Sequence, residues 1–278
     1  MRKAMQLKSR IKELALKNQI PAQAVLQNFM LERLLERISV SNYKDMFILK
    51  GGMLIASMVG INSRTTMDMD ATVRGYPLTD ETVQTAFLEI CSIQLDDDVT
   101  LTLDHITSIR DGDEYGGYRL AITARYESIN TPLKIDITTG DIITPEAVWY
   151  AFQSNFEDKM IGIWAYNIET ILAEKVETIL RRSVLNTRPR DFYDVYIFMR
   201  TQRQSINKKL FTTALNATTQ KRMSLAALRD KDKILLTIKA DLVMKQRWDR
   251  YSKENYYANG IDFAQVMEAL IEIVNKEK

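Results

Sequence analysis

The sequence has very few of the residues that build disulfides and zinc sites. Among its 278 residues there is one cysteine, Cys91, and one histidine, His105. A single cysteine excludes an internal disulfide, and together with a single histidine it excludes an all-protein zinc site. His105 also has no arginine shortly before it. The active site of a helical ribonuclease needs an arginine followed closely by a histidine. The sequence therefore argues against this class of enzyme.

Long apolar runs are missing as well. No stretch of about 18 apolar residues is present, so the sequence predicts no membrane-spanning helix. The first residues, MRKAMQLKSRIKEL, are charged and favour a helix rather than a signal peptide. We therefore expect a cytoplasmic protein. The length allows two domains, and 46% apolar with 27% charged residues is typical of a folded chain.

The charges are unevenly distributed. Residues 181–278 contain 20 Lys or Arg against 11 Asp or Glu, which gives them a net charge of +9. The whole chain has a net charge of +2, so the first 180 residues have a net charge of −7. A basic C-terminal part is a reasonable surface for a polyanion such as nucleic acid. It is equally a common way for a helical domain to stay in solution.

Two aspartates on a predicted strand are the most informative pattern. Asp68 and Asp70 lie two residues apart in TTMDMDATV, and strand side chains alternate between faces, so both carboxylates share one face. Carboxylates held this close repel each other, and a divalent cation such as Mg²⁺ is the simplest way to balance them. A solvated sheet edge is the alternative explanation.

A pair of glycines precedes these aspartates. Gly51 and Gly52 follow the apolar segment FILK, and a short helix is expected from about Met53. Glycines let a backbone approach a ligand closely, and the first N–H groups of a helix favour phosphate. An ordinary glycine turn would have the same sequence.

The rest of the first 150 residues alternates between helix and strand patterns. Asp136, on the polar face of the strand containing LKIDIT, is a third carboxylate. The loop DGDEYGG is expected to join two strands as a hairpin. We predict helices over residues 2–17, 22–38 and 80–95, and strands over residues 99–109, 118–126 and 132–138.

From about Trp149 the pattern is predicted to become helical. We place a domain boundary near residues 145–165, with domains at 1–150 and 151–278. Further helices are expected over residues 168–182, from Pro189 onward, and over 205–217, 221–246 and 261–277.

Charged residues on the first two of these helices have two possible roles. Lys175 interrupts an apolar stripe, and it could direct its ammonium outward or bind a phosphate. Asp191 and Asp194 lie three residues apart, with Arg188 and Arg190 spaced to pair with them. A structural ion-pair network explains this second group adequately.

Basic and aromatic residues are interleaved near the C-terminus. They are candidates for nucleic-acid contact, since aromatic rings stack on unpaired bases, or for ordinary packing between helices. They are Lys208, Lys209, Lys221, Arg222, Lys245, Arg247, Trp248, Arg250, Tyr251, Tyr256 and Tyr257.

Taken together, these segments resemble the AbiEii/AbiGii family of nucleotidyltransferase toxins, a branch of the polymerase-β-like nucleotidyltransferases. The similar segments are FILKGGMLIAS, SRTTMDMDAT, LKIDI, LAEKVETIL and RPRDFYDVYIF, which occur in the family's order and cover about a third of the chain. The resemblance implies an α+β fold, with a small mixed sheet flanked by helices and followed by an α-helical C-terminal domain.

The resemblance also implies an activity. A member of this family would be the toxin of a type IV, abortive-infection system acting in phage defence. It would move a nucleoside monophosphate from an NTP to RNA, with the tRNA 3′ end as the expected acceptor, and release pyrophosphate. The implied partners are two Mg²⁺ ions, the NTP, RNA and a cognate antitoxin that need not bind directly.

Site residues follow from the resemblance by position. Asp68, Asp70 and Asp136 match the metal ligands, and Asp136 is our choice for the base. Many members of the wider superfamily have serine where this chain has Gly52, so phosphate binding would depend more on backbone amides. The implied nucleotide-binding residues are Lys50, Gly51, Gly52, Arg64, Lys175, Arg190, Asp191 and Asp194, with Lys175 also placed in the catalytic set.

Two other functions remain open from the sequence. The chain could transfer its nucleotide to a partner protein, as an adenylylating enzyme does. It could also bind an NTP such as GTP as an interaction module without turnover.

Overall fold

A computed structural model describes residues 2–109 and 116–275 of the chain. The chain forms two compact units. The first comprises Met1–Asp141 with Val148–Ala165, and the second comprises Ile142–Ala147 with Tyr166–Lys278. Within the described residues, no helix is both long and apolar enough to cross a membrane.

The first unit contains a seven-stranded mixed sheet and four helices among its described residues. The strands are β1 (Phe47–Lys50), β2 (Asp68–Val73), β3 (Val99–Ile109), β4 (Gly117–Tyr126), β5 (Ile129–Thr139), β6 (Val148–Gln153) and β7 (Met160–Ala165). The helices are α1 (Arg2–Asn18), α2 (Ala22–Val40), α3 (Gly51–Val59) and α4 (Asp80–Ser92). The predicted α+β fold class is confirmed.

Strand β2 lies in the middle of this sheet. The strand order is β3-β4-β5-β2-β1-β7-β6, with β2 antiparallel to β1 and parallel to β5. Met69, Ala71 and Val73 are buried, while Asp68 and Asp70 are half-buried on the opposite face. The alternation read from the sequence therefore gives both aspartates one face, as predicted.

Helix α2 supplies much of the core of the first unit. Its predicted apolar stripe is buried, because residues spaced three or four apart share one side of a helix. The buried members are Val25, Phe29, Leu31, Leu34, Leu35 and Ile38. Helix α4 begins where Thr79 accepts a hydrogen bond from the Thr82 amide in a capping box.

The helical pattern predicted from Trp149 is wrong. The chain instead forms β6 and β7, which pair antiparallel, and β7 also lies parallel to β1. Aromatic and β-branched residues favour this, and Ile161, Ile163 and Ala165 alternate as buried residues along β7. The first unit consequently extends to Ala165, apart from Ile142–Ala147, whereas the predicted domain ended at residue 150.

The hairpin predicted between the third and fourth strands is present as a pair of strands. Strands β3 and β4 pair antiparallel from Val99↔Tyr126 to Ile109↔Gly117. Residues 110–115 of the connecting loop lie outside the described part of the chain.

The second unit is helical. Its helices are α5 (Ile168–Arg182), α6 (Pro189–Thr201), α7 (Lys208–Lys221), α8 (Leu225–Arg229), α9 (Lys231–Ala240), α10 (Leu242–Glu254) and α11 (Phe263–Asn275). Side chains of Asn167, Asn207 and Asp241 cap α5, α7 and α10. The single helix predicted over residues 221–246 is wrong, because α8, α9 and the start of α10 occupy that region.

Candidate active site

A row of four charged residues crosses the middle of the sheet in the first unit. The strand register pairs Lys50 with Asp70, Asp70 with Asp136, and Asp136 with Arg119. Residues paired in this way project to the same face of a sheet. The structure thus brings two of the predicted carboxylates, Asp70 and Asp136, to adjacent positions.

Asp68 lies on the same face, one register step away. It pairs with Lys134 of β5, so it is two residues along from the Asp70–Asp136 pair on both strands. All three carboxylates predicted as metal ligands therefore belong to one face of two neighbouring strands.

The glycine turn lies directly against Asp70. A Cβ atom at Gly51 would be 2.0 Å from Asp70 Oδ2, and Gly51 has φ +68°, a backbone conformation that favours glycine. A Cβ at Gly52 would be 2.7 Å from Thr66 Oγ1 and 3.4 Å from an Arg64 guanidinium nitrogen. The predicted phosphate turn thus lies against one of the three predicted carboxylates, Asp70.

Helix α3 starts at this turn, two residues earlier than the sequence indicated. Lys50 occupies its N-cap position and makes no side-chain capping hydrogen bond. The first N–H groups of a helix lack partners within the helix, and they carry a partial positive charge. The N-terminus of α3 therefore offers amide donors beside Asp70.

Cations and a hydroxyl group already hold two of the carboxylates. The Arg119 guanidinium donates from Nε and Nη2 to Asp136, at 2.8 and 2.7 Å. Asp68 accepts a 2.6 Å hydrogen bond from Thr66 and lies 3.2 Å from Lys134 Nζ. The hydrogen bond and charge of Asp136 raise the pKa of Arg119.

Lys134 and Arg119 supply positive charge that balances the repulsion predicted among the carboxylates. The sequence alone assigns this charge balance to a divalent ion. Among the described residues, no three His, Cys, Asp or Glu side chains are grouped tightly enough to hold a metal ion.

The residues nevertheless fit a Mg²⁺ site by chemistry. Asp68, Asp70 and Asp136 provide the carboxylate oxygens that hard divalent ions prefer, and Gly51 keeps the space beside Asp70 free of a side chain. The Arg119 guanidinium engages both oxygens of Asp136 and adds positive charge there, so it opposes an ion bound through that carboxylate.

Lys50 has a carboxylate partner of its own, Asp141, whose side chain is 13% exposed. Its ammonium contacts Asp141 and donates a 2.7 Å hydrogen bond to Thr138, which itself bonds Asp141 at 2.9 Å. Burial alone would raise the pKa of Asp141, but the Lys50 charge and hydrogen bonds from Lys50, Thr138 and Thr72 lower it. The pair stabilises the end of β5 next to the glycine turn.

Three of the charged residues predicted in the second unit form a buried cluster around Lys175. Lys175 Nζ lies 2.7 Å from Asp191 and 2.9 Å from Asp194, and Arg188 pairs with Asp191 at 3.0 Å. Arg190 is exposed and pairs with neither aspartate within the described residues, contrary to the spacing argument.

The charge of Lys175 is stabilised inside this cluster. Burial would lower the pKa of Lys175, but the charges of Asp194 and Asp191 and hydrogen bonds to both raise it overall. The ion-pair network considered from the sequence is therefore present, with Lys175 at its centre.

Four residues next to the candidate site were not assigned a role from the sequence. Arg119 and Lys134 both lie on the polar side of an alternating strand pattern, which was a usable signal. Their partners depend on how β4, β5 and β2 align, and this alignment cannot be read from the local pattern. Thr66 lies two residues before β2, and Asp141 lies two residues after β5, so neither belongs to an alternating strand pattern.

The fold is that of known nucleotidyltransferases. MenT4, a nucleotidyltransferase toxin from Mycobacterium tuberculosis H37Rv, matches with TM-score 0.56 and 15% identity over 96% of this chain and 98% of that one. A structure described as a nucleotidyltransferase from H. pylori gives TM-score 0.53 and 17% identity, covering 92% and 94%. JHP933 from Helicobacter pylori gives 0.50 and 17%, covering 91% of each.

The sequence family is more specific. Residues 33–269 match the family described as nucleotidyl transferase AbiEii toxin, type IV toxin–antitoxin system. This match spans most of the chain, so the chain belongs to the AbiEii family and is a nucleotidyltransferase toxin. A comparison with curated proteins finds no match. The family resemblance and the enzyme class predicted from the sequence are confirmed.

Proposed function

We propose that this toxin transfers a nucleoside monophosphate from an NTP to RNA, at the tRNA 3′ end, and releases pyrophosphate. The observation that carries the proposal is the position of Asp70, which lies beside Asp136 in the sheet and against Gly51 at the start of α3. Nucleotidyl transfer needs carboxylates for divalent ions next to amide donors for phosphates.

In this proposal Asp68, Asp70 and Asp136 hold Mg²⁺. The bound ions would supply positive charge to the triphosphate and to the attacking hydroxyl. The backbone amides of Gly51 and Gly52 would donate hydrogen bonds to the phosphates, since Gly52 has no hydroxyl to offer. Asp136 would accept the proton of the attacking hydroxyl once Arg119 leaves its carboxylate.

Arg64, Lys50 and Lys175, which are predicted nucleotide ligands, already have partners of their own. Arg64 lies near Gly52, but it is only 1% exposed and donates to the Thr65 carbonyl, so it would have to move to reach a phosphate. Lys50 would have to leave Asp141 to reach a nucleotide. Lys175, Arg190, Asp191 and Asp194 are retained from the family resemblance, and the charge of Lys175 is shared between the two aspartates.

The basic C-terminal part is our candidate for RNA contact. Lys209, Lys245 and Arg250 are exposed and suited to phosphate contacts. Trp248 is only 1% exposed and donates to the Ile261 carbonyl, so it serves packing rather than base stacking. Arg222 is likewise held in ion pairs with two glutamates of α5.

The biological role follows from the family. A type IV system pairs its toxin with an antitoxin, and we propose that this pair limits growth during phage infection. The toxin would act in the cytoplasm, where tRNA is available, and the antitoxin would counteract it with or without direct binding.

Radiolabel transfer tests the proposal. The full-length protein is incubated with Mg²⁺, total tRNA and each of the four NTPs labelled at the α-phosphate. We expect labelled RNA and released pyrophosphate with at least one NTP, and loss of both in Asp70→Asn. Asp96→Asn is the matched control, because Asp96 is an exposed aspartate of the same unit.

Three other results would count against the proposal. No labelled RNA with any NTP would contradict it directly. Label on a protein that resists nuclease would favour an adenylylating enzyme. Tight NTP binding that persists in Asp136→Ala, with no pyrophosphate released, would favour a binding module without turnover.

A further inference from the structure

Two cations that the family resemblance did not assign occupy two of the three candidate metal ligands. The Arg119 side chain is 44% exposed, and both of its bonding nitrogens are directed at the two oxygens of Asp136. Lys134, 45% exposed, is paired with Asp68. Neither cation is buried, so each can move away from its carboxylate without leaving a core position.

The pairing is built into the sheet. Arg119 is the register partner of Asp136, and Lys134 is the register partner of Asp68. Side chains at paired positions lie about 5 Å apart at their Cβ atoms and meet without any rearrangement of backbone. The contacts therefore form as soon as β4, β5 and β2 align.

A bidentate arginine pair engages both oxygens of the Asp136 carboxylate and places a positive charge beside them, and both effects oppose a divalent ion at the same oxygens. We infer that Arg119 competes with the divalent ion for Asp136 and thereby weakens metal binding. Lys134 opposes metal binding at Asp68 through its charge and one contact with Oδ2. This inference rests on the proposed function only in taking Asp68, Asp70 and Asp136 as the metal ligands.

The test is Mn²⁺ binding to the full-length protein without nucleotide or RNA. Free Mn²⁺ is measured by its electron paramagnetic resonance signal during a titration. We expect Arg119→Gln to bind Mn²⁺ roughly threefold to tenfold more tightly than the native protein, the range of a well-aligned exposed ion pair. Lys134→Gln should show a smaller increase, because its contact is single and longer.

Arg125→Gln is the matched control. Arg125 is an exposed arginine on the same face of β4, six residues from Arg119 and about 20 Å away along the strand. It donates to a backbone carbonyl rather than a carboxylate. Its removal should leave Mn²⁺ affinity within about twofold of the native value, since charges at this distance are screened.

A double-variant cycle separates competition from a general effect of positive charge. If Arg119 acts by holding Asp136, removing it in an Asp136→Asn background should change Mn²⁺ affinity no more than Arg125→Gln does. An Arg119→Gln effect that persists unchanged in that background would overturn the inference.

Equal or weaker Mn²⁺ binding by Arg119→Gln would also overturn it, as would no binding by either protein. These outcomes are independent of catalysis. The transfer assay can fail while Arg119→Gln still tightens Mn²⁺ binding, and the assay can succeed while the two affinities are equal.

Discussion

Substituting alanine for Gly51 changes the contact between the glycine turn and Asp70. The new Cβ would lie 2.0 Å from Asp70 Oδ2, and ordinary contacts begin at 3.4 Å. The Asp70 carboxylate, or the turn itself, must therefore shift by more than about 1 Å, the scale on which catalytic geometry fails.

Gly75 provides a control with the same backbone conformation. It has φ +64°, close to the +68° of Gly51, but a Cβ there would meet nothing within 4 Å. Alanine at either position incurs the strain of a left-handed conformation, about 1–2 kcal/mol of unfolding free energy. Only the Gly51 variant also displaces Asp70.

The expected results differ accordingly. Gly75→Ala should lose about 1–2 kcal/mol in urea unfolding and keep its nucleotide-transfer rate. Gly51→Ala should lose at least as much stability, and its transfer rate should fall about 100-fold. A Gly51→Ala protein that transfers nucleotide at the native rate would refute the placement of Asp70 in the reaction.

Two further variants test the stability that ion pairs contribute and how it depends on pH. Lys175→Gln leaves Asp191 and Asp194 buried without their cation, so urea unfolding should show a loss of about 3 kcal/mol. Folding raises the pKa of Lys175, so the stability that its charge contributes is complete below the ordinary pKa of 10.5. The loss in Lys175→Gln should therefore persist at neutral pH and diminish only above pH 10.5. A loss that vanishes by about pH 8 would contradict a charged Lys175 in this ion-pair cluster. Asp141→Asn should destabilise the protein at pH 5 by removing the partner of Lys50. Because the pKa of Asp141 is lowered by folding, its contribution is complete above its ordinary value of 3.8 and is lost as pH falls below it, so the gap to the native protein should narrow at pH 3; a gap that widens there would count against it.

Much of the candidate site can be predicted from local periodicity in the sequence. The alternation in TTMDMDATV is enough to put Asp68 and Asp70 on one face, because a strand has a fixed period of two. The apolar stripe of α2 was recognisable for the same kind of reason, a period of 3.6 over a long segment. These features depend only on residues close together in the chain.

Pairing between distant strands was not accessible in this way. Strands β2 and β5 are parallel neighbours although β3 and β4 lie between them in sequence. Their register decides that Asp136 meets Asp70 and that Arg119 meets Asp136, and a shift of one residue would send each side chain to the other face. The sequence therefore does not reveal Arg119 and Lys134 as the cations that pair with the carboxylates. It predicts only a metal ion to balance their charge.

Aromatic residues were ambiguous for a different reason. Trp149 and Trp164 belong to paired strands, but short segments rich in aromatics fit a buried helix almost as well. Trp248 lies on a helix as expected, yet composition does not tell whether such a ring faces solvent or the core. The structure shows that the Trp248 ring is buried in the second unit, where its indole N–H donates to the Ile261 carbonyl.

A crystal grown with Mn²⁺ and a non-hydrolysable NTP tests the central claim most directly. Anomalous scattering from Mn²⁺ should give a peak about 2.1 Å from carboxylate oxygens of Asp70 and Asp136, with the triphosphate on the amides of Gly51 and Gly52. Arg119 should then have left Asp136. Nucleotide and metal bound elsewhere, with Arg119 still paired to Asp136, would contradict the account.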